Sequence, residues 1–154
     1  ILADDLGWAD TTLYGHTKLY QTPNIERLAK RGMTFSRAYA NSPLCSPTRA
    51  SILTGKYPAR TDTTNYFAGR RSGTYGPAEF NTVMALDEVT FAETLRDAGY
   101  STFFAGKWHL GQVGHLPTDH GFEANKGEAT GCHAATFLPT RTSRISSRGR
   151  TESS

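Results

Sequence analysis

The stretch TFAETLRDAGYSTFFAGKWHLG, residues 90–111, limits the folds open to this chain more than any other. Thr90 and Glu93 stand at capping-box spacing, Phe91, Leu95 and Ala98 make an apolar face, and Gly99 supplies a stop, so the first ten residues predict a helix. YSTFFA follows at once as a strand, which empties into the polar loop GKWHLG. A helix feeding straight into a strand points to an α/β sandwich with a largely parallel sheet. In such sheets ligands gather at the carboxyl ends of strands.

The same alternation runs through the first half. ILADD reads as the end of a buried strand opening into Asp4 and Asp5. TPNIERLAKRG carries Thr22 as N-cap, Pro23 at the first helical position, an Ile25, Leu28 and Ala29 stripe, and Gly32 as terminator. MTFSRAYA is expected as a short strand. SPTRASILTG repeats the helix start with Ser46 and Pro47 and the stop with Gly55, which sets Cys45 beside a helix N-terminus. Residues 57–88, rich in Gly, Thr, Arg and Asn, read as loop.

Charge and cysteine usage remove several function classes. The formal charge is +3 over 154 residues, and Arg141, Arg144, Arg148 and Arg150 against Glu152 supply all of it. The first 136 residues balance to zero, so nothing calls for nucleic acid. There is no membrane-length apolar run and no signal peptide, and the chain opens as though its beginning were missing. Cys45 and Cys132 form neither a disulfide framework nor a zinc pattern, and localisation is unknown from them. Residues 137–154 are expected to be a disordered basic Ser/Arg/Thr tail, following a domain at 1–136.

Three groups of residues carry candidate chemistry. Adjacent carboxylates at Asp4 and Asp5 suit calcium or magnesium, or equally a solvated turn. Lys107 and His109 flank Trp108, so on an extended loop both heads could hold an oxyanion, or Trp108 could simply anchor in the core. Cys45 could be a small buried hydrophobe. A helix N-terminus, however, favours negative charge on a nucleophile or bound anion, and Arg49 lies one turn further along.

Together these segments resemble the sulfatase family. CSPTRASILTG resembles its CxPxR signature, and ILADDLGW, QTPNIERLAKRGMTFSRAYANSPLCSPTRASILTGKYPAR, TFAETLRDAGYSTFFAGKWHLG and HGFE resemble the family in its order, covering about Ile1 to Gly127. The resemblance implies an alkaline-phosphatase-like sandwich, truncated here, and hydrolysis of a sulfate ester. Cys45 matches the position oxidised to formylglycine by a maturing enzyme, with Pro47 and Arg49 as the modification signal. Asp4, Asp5 and residue 45 match metal ligands, with calcium the usual ion and magnesium the alternative. Arg49 and His109 match residues that steady the formylglycine hydrate, and Lys107 matches a sulfate-contacting lysine. Members of the family are mostly secreted, periplasmic or lysosomal.

Family members are several times longer, and their Asp-Asn pair, further histidine and further lysine have no counterpart here. The resemblance therefore implies an N-terminal fragment whose own activity is doubtful. A frameshift near residues 125–137 is the hypothesis for the unrelated tail. Phosphate or phosphonate ester hydrolysis and a non-catalytic fragment are the alternatives.

Overall fold

The computed structural model describes residues 1–67, 69, 73–76 and 78–127; Cys132, the expected tail at 137–154 and most of the span invoked for a frameshift lie outside them. Helices α1 (Pro23–Ala29), α2 (Cys45–Thr54) and α3 (Phe91–Asp97) and strands β1 (Phe103–Ala105) and β2 (Ala124–Lys126) form the regular elements, joined by short 3₁₀ turns.

α3 starts where its capping box predicts. The Glu93 N–H donates to the Thr90 hydroxyl at 3.3 Å and the Thr90 N–H to the Glu93 carboxylate at 2.7 Å. The Thr90 hydroxyl also donates to the His120 carbonyl at 2.8 Å, which docks the helix by its N-terminal end. That docking turns Ala92 inward, whereas Phe91 and Leu95, expected on the buried face, stay 45% and 39% exposed. Gly99, at φ 88°, takes the left-handed conformation that ends the element.

β1 forms within YSTFFA and pairs in parallel with β2, in the register Phe103 to Ala124, Phe104 to Asn125 and Ala105 to Lys126. The sheet is parallel as expected and two-stranded among the described residues. Strands at ILADD and MTFSRAYA do not form there. Asp4 and Asp5 occupy a turn, with Asp5 at φ 56°, and Leu2, Met33 and Phe35 are exposed. An extended segment without a paired neighbour leaves its ladder groups to water and gains little from being a strand.

α1 begins after Thr22 with Pro23 in its first turn, but the Thr22 hydroxyl does not cap it. It accepts instead from the Thr12 N–H at 2.9 Å. The helix gives way at Lys30, before Gly32. α2 starts two residues earlier than a Ser46 cap with Pro47 first would place it, at Cys45, with Leu44 in the N-cap position. Pro47 falls in the first turn, where its missing N–H has no intrahelical partner to lose. Gly55, at φ 69°, closes the helix.

The core gathers Ala50 and Leu53 of α2, Ala92 of α3, and Phe67, Met84, Trp108, Leu110 and Phe122 from connecting segments. Phe104 of β1 packs on it edge-to-face against Trp108 and Phe122, at ring separations of 5.2 and 5.3 Å. Trp108 is 1% exposed and its indole N–H donates to the His115 carbonyl at 2.7 Å. The anchoring role considered for Trp108 is therefore real, and it fixes the loop that carries Lys107 and His109. The long loop at 57–88 is pinned at its ends by the Lys56–Glu88 ion pair, 2.5 Å, and from inside by buried Phe67 and Met84.

Candidate active site

Cys45 is the first residue of α2, and Leu44 offers the amides of that first turn no side-chain cap. The positive end of the helix therefore faces whatever residue 45 carries. A cavity of about 240 Å³ opens there, lined by Asp4, Asp5, Leu44, Cys45, Thr48 and Arg49 among others. Residues from the start of the chain and from α2 thus share one wall-to-wall space.

Asp4 organises that space. Its Oδ1 accepts from the Arg49 guanidinium at 2.8 Å and its Oδ2 from the Lys107 ammonium. Arg49 also donates to the Lys107 carbonyl, so α2 and the loop after β1 are clamped together at this carboxylate. Burial by itself would raise the Asp4 carboxyl, but hydrogen bonds and charge from Lys107 and Arg49 outweigh it and hold the carboxyl below its ordinary value. The Lys107 ammonium is pulled down by burial and lifted further by its bonds to Asp4 and Cys45, so it stays above its ordinary value and charged at neutral pH. Lys107 thus bonds the carboxylate with Cys45 as a second neighbour. Arg49 is 8% exposed, and its Nε is a buried donor with no partner among the described residues.

His109 is buried and its Nε2 lies 3.2 Å from the Phe67 carbonyl. Burial holds the imidazole below its ordinary value against the Phe67 bond, and the charges of Lys107 and Arg49 add to the depression while Asp4 opposes it. The period-two reasoning for Lys107 and His109 does not apply, because His109 sits at φ 54° and the backbone is not extended there. Lys107 turns to Asp4 and His109 to Phe67, yet both act on the same cluster of charges.

The structure thus brings Asp4, Asp5, Cys45, Arg49 and Lys107 together, with His109 behind them, and Pro47 in the turn that carries Cys45. Sequence reasoning missed Ser46, whose fully buried hydroxyl donates to the His109 carbonyl at 2.8 Å. It also missed Phe67. The signal for Ser46 was present, since a serine in the first turn of a helix often bonds locally, but its partner 63 residues away was not legible.

The donor chemistry bears on a metal. Two carboxylates of hard oxygen line one cavity with residue 45, which suits calcium or magnesium in kind. Among the described residues no group of three or more His, Cys, Asp or Glu side chains is placed to hold such an ion, and both Asp4 oxygens are engaged by Arg49 and Lys107.

In this α/β chain the N-terminus of α2, with Cys45 in its first turn, meets the Arg49 guanidinium and the Lys107 ammonium around the Asp4 carboxylate. The chain belongs to the sulfatase family, whose model matches residues 1–131. It is 43% identical to human steryl-sulfatase over 129 residues, covering 79% of this chain and 21% of that enzyme. Similarity to pig N-acetylgalactosamine-6-sulfatase is 42% over 136 residues, covering 86% and 25%. Among solved structures, that of Ps i-CgsB superposes with a TM-score of 0.71 at 37% identity over 85% of this chain and 27% of the other. The fold is accordingly that of the alkaline-phosphatase-like sulfatases, and the chain spans about a quarter of the length of these relatives.

Proposed function

We propose that the chain carries the nucleophile-bearing part of a sulfuric ester hydrolase, in which Cys45 is the precursor of a formylglycine. The observation that carries the proposal is the convergence of Arg49, Lys107 and Asp4 on the start of α2 where Cys45 stands. Arg49 Nε is in addition a buried donor with no partner among the described residues, one turn along α2 from residue 45, and an oxygen there would be a fitting acceptor for it. Conversion breaks the Cβ–Sγ bond of Cys45 and oxidises Cβ by two electrons to an aldehyde, sulfur leaving at the sulfide level as one oxygen enters, and a maturing enzyme is the partner that supplies the two-electron oxidant.

In this reading the hydrated aldehyde at residue 45 supplies the attacking hydroxyl, and the helix N-terminus favours the charge on it. Lys107 binds a sulfate oxygen of the anionic ester. Arg49 holds the hydrate and, through Asp4, the position of Lys107. His109 steadies the hydrate from its buried seat. A bound calcium or magnesium, held in part by Asp4 and Asp5, would polarise the sulfate oxygens and orient the nucleophile. In this reading Arg49, Lys107 and His109 would cradle one side of the ester, so we expect no useful hydrolysis by this chain alone. Losing one preorganised charge-stabilising donor costs about 100- to 1000-fold in rate.

Mass spectrometry tests the central claim. Produced in a host that matures other sulfatases, the Cys45 peptide should show the exchange of sulfur and two hydrogens for oxygen, and Arg49→Ala should impair it. An unmodified Cys45 in such a host would sink the assignment. Aryl sulfate hydrolysis with calcium, compared between the chain and Cys45→Ala, tests the second claim. A clear difference between the two would show that this part of the site is competent by itself, and turnover of aryl phosphate in preference to sulfate would reassign the substrate class.

A further inference from the structure

Ser46 is 0% exposed and its hydroxyl is used twice. It donates to the His109 carbonyl at 2.8 Å and accepts from the Phe67 N–H at 3.0 Å. The Phe67 carbonyl in turn faces His109 Nε2 at 3.2 Å. A carbonyl oxygen only accepts, so Nε2 is the nitrogen that carries the proton. These three bonds close a ring through residues 46, 67 and 109, joining the first turn of α2, the loop at 57–88 and the loop after β1.

His109 needs such support. It is one of the non-glycine residues at positive φ, 54°, a conformation that persists only where surroundings hold it. The bond from Ser46 grips the carbonyl of that same residue, and the Phe67 bond grips its ring. Removing the hydroxyl would leave the His109 carbonyl and the Phe67 N–H buried without this partner, releasing the first grip directly and loosening the Phe67 backbone whose carbonyl makes the second.

We infer that Ser46 is a positioning residue: its buried hydroxyl holds the left-handed turn at His109 and thereby keeps the His109 ring in its Nε2-protonated form against Phe67. Because Ser46 follows Cys45 directly, the same contact sets the reach between residue 45 and the His109 loop. The inference rests on the reading of His109 as a site residue. Its test reads the ring and not turnover, so its failure would leave the hydrolase reading standing.

The experiment uses the full chain labelled with ¹⁵N-histidine, at alkaline pH where imidazoles are neutral, with long-range ¹H–¹⁵N correlation spectra and His109→Gln for assignment. In the wild type, His109 should show one protonated and one bare nitrogen. In Ser46→Ala its two nitrogens should move toward each other as tautomers exchange. His115, whose Nδ1 lies 2.8 Å from the Met84 carbonyl, should keep its pattern. Ser46→Thr, which retains a hydroxyl, should restore the wild-type pattern. Should Ser46→Ala fail to fold, Ser46→Cys, with a weaker donor and acceptor of similar size, is read by the same criteria. An unchanged His109 pattern in Ser46→Ala or Ser46→Cys overturns the inference. So does an equal disturbance of His115, which would make Ser46 a merely structural residue, and so does failure of Ser46→Thr to restore the pattern.

Discussion

Replacing His120 by leucine should flatten the acid side of the stability curve. His120 is 0% exposed, and among the described residues neither ring nitrogen has a hydrogen-bond partner. Burial holds its imidazole below the ordinary value; Glu93 opposes that, His115 reinforces it and Asp119 opposes it. The ring of Trp108 lies 5.6 Å away and that of His115 6.3 Å away, so no carboxylate stacks directly on it from those sides. With its folded value depressed, the unfolded chain binds the proton first as pH falls. Stability therefore drops below the unfolded value near pH 6.5, with a slope approaching about 1.4 kcal/mol per pH unit for one proton. Between pH 7.5 and 5.5 that amounts to at most about 1.4 kcal/mol. His120→Leu removes the group but keeps an apolar filler against Trp108, so stability at pH 7.5 should change by less than about 1.5 kcal/mol. Urea titrations of both proteins at pH 7.5, 6.5 and 5.5 measure the two slopes. Every other histidine is present in both proteins, so the difference in slope belongs to the loss of His120. Parallel slopes would refute the reasoning.

Thr90→Ala removes both the cap of α3 and its bond to the His120 carbonyl, and should cost about 1–3 kcal/mol in denaturant unfolding. Gly121→Ala places a Cβ within 2.5 Å of the Glu93 backbone nitrogen at a φ of 92°, and should lower the melting temperature more than Gly15→Ala, where a Cβ meets nothing within 4 Å. Trp108→Ala should cost about 3–5 kcal/mol, because it empties the centre of the core and frees the loop of Lys107 and His109. Arg49→Ala should move the Asp4 carboxyl upward toward its ordinary value, read from its ¹³C shift against pH, since one of its two cationic partners is gone.

Local signals were read well where the chemistry that makes them is local. The Thr90–Glu93 box and Gly55 and Gly99 define their helix ends in the structure because a cap needs only residues three or four positions away. The candidate residues Asp4, Cys45, Arg49 and Lys107 meet, and the requirement that anionic chemistry be offset by cations is visible in residue types alone. What sequence could not supply was pairing. ILADD and MTFSRAYA have the composition of strands, but a strand exists only with a partner. β2, with the sequence Ala124, Asn125, Lys126, has no apolar alternation and forms because β1 lies alongside. The inward turn of Ala92 in place of Leu95 was equally hidden, since it follows from the contact between Thr90 and His120, 30 residues apart.

The clamp at Asp4 also has a history in time. Its parts lie far apart along the chain: Asp4 and Arg49 are separated by 45 residues, and Arg49 and the Lys107 carbonyl by 58. During synthesis at about 5–20 residues per second, roughly 3–12 s elapse between the emergence of Arg49 and that of Lys107. Throughout that interval α2 has no loop from β1 to clamp against, the ammonium that bonds Asp4 does not yet exist, and the CSPTR stretch is an open segment of nascent chain. Assembly of the folded site thus ends the interval in which the stretch around Cys45 is fully open, and the order of the sequence itself sets how long that interval lasts.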